Sequence, residues 1–192
     1  MLQVADIYIA FVDTPGLFAA IIRRYLKQKY IHVVISMDAG LEEAYSVGRR
    51  NPFIPVIAGF EREDKDKIYR VFPEAEYLIC RISVEEKQKE QIRAKLQNDY
   101  RCRYQYHYAV AGLLPIVCGK PFYQKNHYTC SSYIARLLEE QGIRVADKHF
   151  SLVTPKDFYL YPDKQKIFEG KLEELIRGEH RIVEPSGTAY EY

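Results

Sequence analysis

Residues 128–143, YTCSSYIARLLEEQGI, decide how the rest of the chain is read. From about Cys130 to Gln141 the apolar side chains recur at helical spacing, and Gly142 suits the left-handed residue that closes such a helix. The predicted helix therefore begins on a cysteine. The first amides of a helix have no intrahelical acceptor and its dipole is positive there, so a thiolate is favoured. The same amides can hold the oxyanion formed when sulfur attacks a carbonyl. Ser131 and Ser132 follow, small enough to leave room for a substrate. Most cysteines are simply small buried hydrophobes. Cys80 and Cys118 lie in apolar runs and fit that description, while Cys102 has Arg101 and Arg103 beside it but no helix start.

A nucleophilic thiol needs a base, normally histidine, held by a third polar group. Working back along the chain, residues 31–37, IHVVISM, read as a strand on which His32, Val34 and Ser36 share a face. Asp38-Ala39-Gly40 reads as a tight turn, and 41–47, LEEAYSV, returns antiparallel. A two-residue loop brings Glu43 beside His32; a three-residue loop favours Glu42 or Ala44 instead. His127, three residues before Cys130, is the reserve base. His107, His149 and His180 have no ordered partner in the pattern.

The remaining segments alternate between strand and helix. Residues 5–12, ADIYIAFV, read as a strand ending at Asp13-Thr14-Pro15-Gly16, with a helix carrying Leu17, Phe18, Ile21, Ile22 and Tyr25 after it. Residues 48–60 read as a Pro-rich loop, 67–72 and 76–83 as strands, and Ser83 as the cap of a charged helix running to about Asp99. Another helix is expected over 104–118, a short one at Thr154-Pro155, a strand near Ile167-Phe168, and a last helix over 170–177. One α+β domain over residues 1–178 and a loose polar tail over 179–192 account for the chain.

Composition excludes several classes. The 192 residues are 47% hydrophobic and 28% charged, which is ordinary globular usage. A net charge of +2 gives no footprint for nucleic acid. Four cysteines without close pairing form neither a disulfide framework nor a zinc motif, and no metal or organic cofactor is expected. The first residues carry no basic stretch and no small-residue cleavage site, and nothing approaches the ~18 continuous apolar residues of a membrane span. A cytoplasmic location is the expectation. Seventeen tyrosines and no tryptophan favour half-wet grooves, although tyrosine fills cores as well.

Two stretches together resemble the circularly permuted branch of the NlpC-type papain-like cysteine peptidases, the YiiX/YycO-like proteins. Tyr128-Thr129-Cys130-Ser131-Ser132-Tyr133-Ile134-Ala135, with Leu137, Leu138 and Gly142-Ile143, is similar to the nucleophile helix. His32 to Ser36, Asp38 to Leu41 and Glu43-Ala44 are similar to the His strand and the strand bearing the third polar residue. Asp6 to Ile9 and Thr154 to Phe158 add weaker likeness. The His precedes the Cys, which is the permuted order.

The resemblance implies a papain-like α+β fold, an antiparallel sheet packed against the helix that carries the Cys. It implies Cys130 as nucleophile, His32 as base and Glu43 as orienting residue. Tyr128 falls where the family has an aromatic near the substrate and oxyanion site, and Tyr45 is the second substrate-side candidate. Thr129 replaces the acidic residue often found before the Cys in unpermuted members, and 45–60 matches no catalytic motif. The implied activity is a cysteine peptidase or amidase working through a thioester on peptide or peptidoglycan-like substrates. Related permuted proteins act on acyl lipids, so a lipid-directed acyltransferase or thioesterase is the alternative, and a papain-like binding module without catalysis is the other.

Overall fold

The structure is a computed structural model that describes residues 3–15, 23–24, 28–51, 54–109 and 119–178. The expected tail over 179–192, most of the helix after Pro15, and Cys118 lie outside these residues. Six strands form one sheet in which every neighbouring pair is antiparallel: β1 (Val4–Asp13), β2 (His32–Ser36), β3 (Ala44–Asn51), β4 (Ile54–Arg62), β5 (Glu76–Glu85) and β8 (Gln165–Lys171), in the order β4-β3-β2-β1-β5-β8. Two short strands, β6 (His107–Tyr108) and β7 (His127–Tyr128), form a separate parallel pair. The helices are α1 (Lys65–Val71), α2 (Glu86–Arg101), α3 (Cys130–Glu139), α4 (Pro155–Leu160) and α5 (Leu172–Arg177).

The central strand reads as an unbroken apolar run because both its faces are covered. Ile7, Ile9 and Phe11 join Val33, Ile35, Val47 and Phe60 on one face, where Ile92 and Leu96 of α2 and Ile134, Leu137 and Leu138 of α3 close over them. Ala10 and Val12 join Val34, Ala44, Tyr77 and Ile79 on the other, under Leu172 and Leu175 of α5. Burying a Leu- or Ile-sized side chain contributes about 1.5–3 kcal/mol, so the stripe on α3 holds that helix firmly to the sheet. The protein is an α+β structure with the cysteine-bearing helix on one face of an antiparallel sheet.

Several local expectations are corrected. Residues 48–51 and 54–60 are not loop but strand, in β3 and β4. Proline at 55 argues against strand in the sequence, yet β4 lies at the sheet edge, where a missing N–H is tolerated. Residues 67–71 belong to helix α1, with Phe72 as its C-cap, and its first turn is capped by Asp64 accepting from the Lys67 amide at 2.9 Å. Ser83 does not cap α2. Its hydroxyl donates to Asp6 across the β1–β5 pair at 2.8 Å, and the helix starts at Glu86 with the Gln88 side chain accepting from the Glu85 amide. The first part of the expected 104–118 helix is a 3-10 turn followed by β6, because Arg50 Nη2 donates to the carbonyl of Arg103 at 2.6 Å and β6 pairs with β7. The remainder, 110–118, lies outside the described residues. Among those described, no helix is long and apolar enough to cross a membrane.

Candidate active site

Cys130 is the first residue of α3, and the chain around it is held by polar bonds that begin at Thr129. Thr129 Oγ1 accepts from the Ser132 amide at 3.1 Å while Ser132 Oγ accepts from the Thr129 amide at 2.9 Å, a reciprocal cap that ends the extended chain and starts the helix on the cysteine. Ser131 Oγ donates to the Val153 carbonyl at 2.7 Å, and the Tyr133 hydroxyl donates to Asp99 at 2.8 Å. At the far end Gly142 has φ +77°, the left-handed conformation its position requires. The helix is thus fixed at both ends and along its apolar stripe, and the sulfur with it.

The partner of that sulfur is His32, the first residue of β2. Of the groups around that sulfur His32 acts on it most strongly, and the backbone amides of Val33 and Ser131 act in the same sense. Val33 can do so because β2 pairs with β3 only at Ile35↔Tyr45 and Ser36↔Ala44, so its amide lies beyond the end of that ladder. Cys130 is only 5% exposed. Burial pushes its thiol up, but the charge and hydrogen bond of His32 and the two amides outweigh burial and hold it below the ordinary value. Burial alone depresses His32; the charge and hydrogen bond of Cys130, and then those of Glu63, outweigh it and push the imidazole up to about 10. The opposite shifts describe one object, a thiolate–imidazolium pair that titrates as a unit.

Glu63, just past the end of β4, supplies the third group. Its Oε1 lies 3.2 Å from His32 Nε2 and also accepts from the Ser46 hydroxyl, and its amide donates to the Ala44 carbonyl at 2.9 Å. With Nε2 committed to Glu63, Nδ1 is the ring nitrogen left for the sulfur. Ser46 is fully buried and fixes the carboxylate from below. Gly48 makes room for the ring: a Cβ there would lie 3.2 Å from His32 Cε1 and 3.2 Å from Ser46 Oγ.

Glu43 does not hold His32. The turn is longer than the tight one read from the sequence, with the Met37 amide donating to the Glu43 carbonyl at 3.0 Å. Counting back from Ile35↔Tyr45 places Gly48, not Glu43, opposite His32. Five residues of strand then separate Glu43 from that level, roughly 17 Å. The Glu43 carboxylate instead meets Arg93 Nε and Gln97 Nε2 of α2, each at 3.0 Å. His127 is held elsewhere: its Nδ1 donates to the Lys125 carbonyl at 2.9 Å and its ring packs on His107.

The aromatic candidates part company. Tyr45 stacks on Phe60 with centroids 5.8 Å apart and meets Tyr100 edge-on; it is buried in the core, with an edge on a separate cleft lined also by Glu43, Arg62 and Gln97. Tyr128 packs edge-on against Tyr133 and lines a cleft beside α3. Glu63 was hidden because the segment before it reads as loop; an acidic residue closing a strand next to the histidine strand is the signal that would have exposed it. Among the described residues no group of three or more His, Cys, Asp or Glu side chains is placed to hold a metal ion. Comparison of the chain with protein-family models, with curated proteins and with solved structures finds no match to any of them.

Proposed function

We propose that the protein is a cysteine hydrolase of the circularly permuted, papain-like NlpC type, acting by acyl transfer through Cys130, with His32 as base and Glu63 as the orienting carboxylate. One observation carries the reading: a thiol at a helix start is electrostatically coupled to an imidazole whose Nε2 meets a carboxylate. A buried structural cysteine needs none of this, and Cys80, pushed up to about 11 by burial, shows what the same residue type looks like without it.

The chemistry follows from the pair. Cys130 as thiolate adds to a carbonyl carbon, and its own backbone amide at the start of α3 stabilises the oxyanion. The tetrahedral intermediate collapses, the bond to the leaving nitrogen breaks, and the His32 imidazolium delivers its proton to that nitrogen. Water then attacks the thioester with His32 accepting its proton, which releases the acid and restores the thiolate–imidazolium pair. Glu63 keeps the ring oriented and favours its charged form throughout. The resemblance supports amide bonds in peptides or peptidoglycan-like fragments as substrates.

A panel of thiol-reactive peptide and acyl-lipid probes, read by mass spectrometry, tests the reading. Cys130 acquires the probe, His32→Ala suppresses the reaction by about two orders of magnitude or more, and His127→Ala leaves it intact. Preference for acyl-lipid probes would move the substrate class to lipids. Labelling of Cys102 with Cys130 untouched would leave a binding module and remove the catalytic reading.

A further inference from the structure

A second feature of α3 has no part in the chemistry just described. Between α2, α3 and the chain leading into β7 lies a cleft of about 430 Å³, lined by Tyr106, Tyr123, Tyr128 and Tyr133. Its floor is the carboxylate of Asp99, 1% exposed, which accepts from the Tyr133 hydroxyl and is paired with Lys95 at 2.5 Å. The Tyr123 and Tyr128 hydroxyls lie 3.0 Å apart in its wall, and each accepts from Arg136 Nη1 at 2.7 Å.

The proton count at that wall does not close. A phenol oxygen carries one proton. The Tyr123 and Tyr128 hydroxyls share one hydrogen bond, which either can donate, and Arg136 donates to both oxygens. One of their two protons then has no acceptor among the described residues, and of the pair it is Tyr123, 39% exposed, that stands at the mouth of the cleft. The charges point the same way. Lys95 is spent on Asp99 and Arg136 Nε on Glu140 at 3.2 Å, whereas Lys125 at the rim has no carboxylate partner among the described residues. The cleft presents donors and an excess of positive charge, backed by aromatic faces.

We propose that this cleft binds a carboxylate-bearing ligand, its carboxylate received by Arg136, Lys125 and the Tyr123 hydroxyl and its apolar or planar body laid against Tyr106 and Tyr128. A charge-assisted bond from a guanidinium or ammonium is the strong kind, and bonds of this kind separate an acid from its uncharged amide. The shared chemistry is a carboxylate on a hydrophobic body, which a peptide C-terminus and a free small acid both supply. The inference stands apart from the reading of Cys130, since none of the three receiving groups touches the sulfur.

The test is titration of the full chain with N-acetyl-phenylalanine and with its amide, followed by heteronuclear NMR. The acid binds about tenfold or more tightly than the amide, and shifts concentrate on the amides of 123–128 and 133–140. Lys125→Gln and Tyr123→Phe, both at exposed side chains that the fold does not need, each weaken the acid severalfold and leave the amide unchanged. Arg136→Gln abolishes the preference. A tripeptide with free or amidated C-terminus separates the two sources: a preference confined to the peptide acid assigns a chain terminus, and one shared with the small acid assigns a free ligand. Cys130→Ala binds as the wild type does, so loss of the catalytic reading leaves this result standing. Equal binding of acid and amide, no saturation by either at millimolar concentration, or indifference to Lys125→Gln and Tyr123→Phe overturns the proposal.

Discussion

Replacing Glu63 by Gln isolates the carboxylate's share of the His32 charge. The side chain keeps its shape and can still bond to Ser46 and the ring, but the negative charge 3.2 Å from Nε2 is gone. His32 and Glu63 have side chains 28% and 21% exposed, so solvent screening is partial. A hydrogen bond to a charged group contributes about 1.5–3 kcal/mol, and at 1.36 kcal/mol per pKa unit that corresponds to roughly one to two units. The imidazole, pushed up to about 10 in the wild type, is therefore expected to titrate at ~8–9 in the variant. The lower step, loss of the thiol proton while the ring is still charged, moves much less, because removing Glu63 acts on the ring and the ring remains the stronger base. Iodoacetamide alkylation of Cys130 from pH 4 to 11 shows both steps, and the His32 Cε1 resonance reports the upper one directly. Glu43→Gln is the matched control, since that carboxylate is bonded to Arg93 and Gln97. An upper step that stays in place in Glu63→Gln, or that moves equally in Glu43→Gln, refutes the assignment of Glu63.

Two further outcomes follow from the same geometry. Thr129→Ala removes the side-chain half of the reciprocal cap at the start of the Cys130 helix, and urea unfolding should show a loss of about 1 kcal/mol together with slower alkylation of Cys130. His32 binds its proton more tightly folded than unfolded, so its contribution to stability is complete below about pH 6.5 and is lost as pH rises through its folded value of about 10. The lowered Cys130 thiol acts in the opposite sense up to its ordinary value of ~8.5, so the pair's two effects cancel between about pH 6.5 and 8.5. Wild-type unfolding midpoints should therefore rise on the acid side of that plateau and fall beyond it, and absence of the acid-side rise relative to His32→Gln would show that the pair is not charged in the folded protein.

What could be read from the residues alone is what short-range physics controls. The α3 stripe of Tyr133, Ile134, Leu137 and Leu138, with Gly142 behind it, announces a helix beginning on Cys130, and the apolar runs of β1, β2 and β5 announce buried strands. The Thr154-Pro155 helix start is equally local, with Asp157 returning a bond to the Thr154 amide at 2.7 Å. Helical period, turn residues and caps act within a few positions of the chain, so the sequence displays them. The residue that orients His32 obeys no such rule. Glu43 and Glu63 are equally acidic and equally plausible in one dimension; the choice depends on the length of the Met37–Glu43 turn and on β4 forming an edge strand despite its proline. Both are decided by which faces of β2, β3 and β4 must be buried under α2 and α3, and one register brings Gly48 opposite the ring and Glu63 within reach of it. A contact across 31 positions is the outcome of packing the whole sheet, because strand register is selected by the burial of entire faces and not by any residue's own preference.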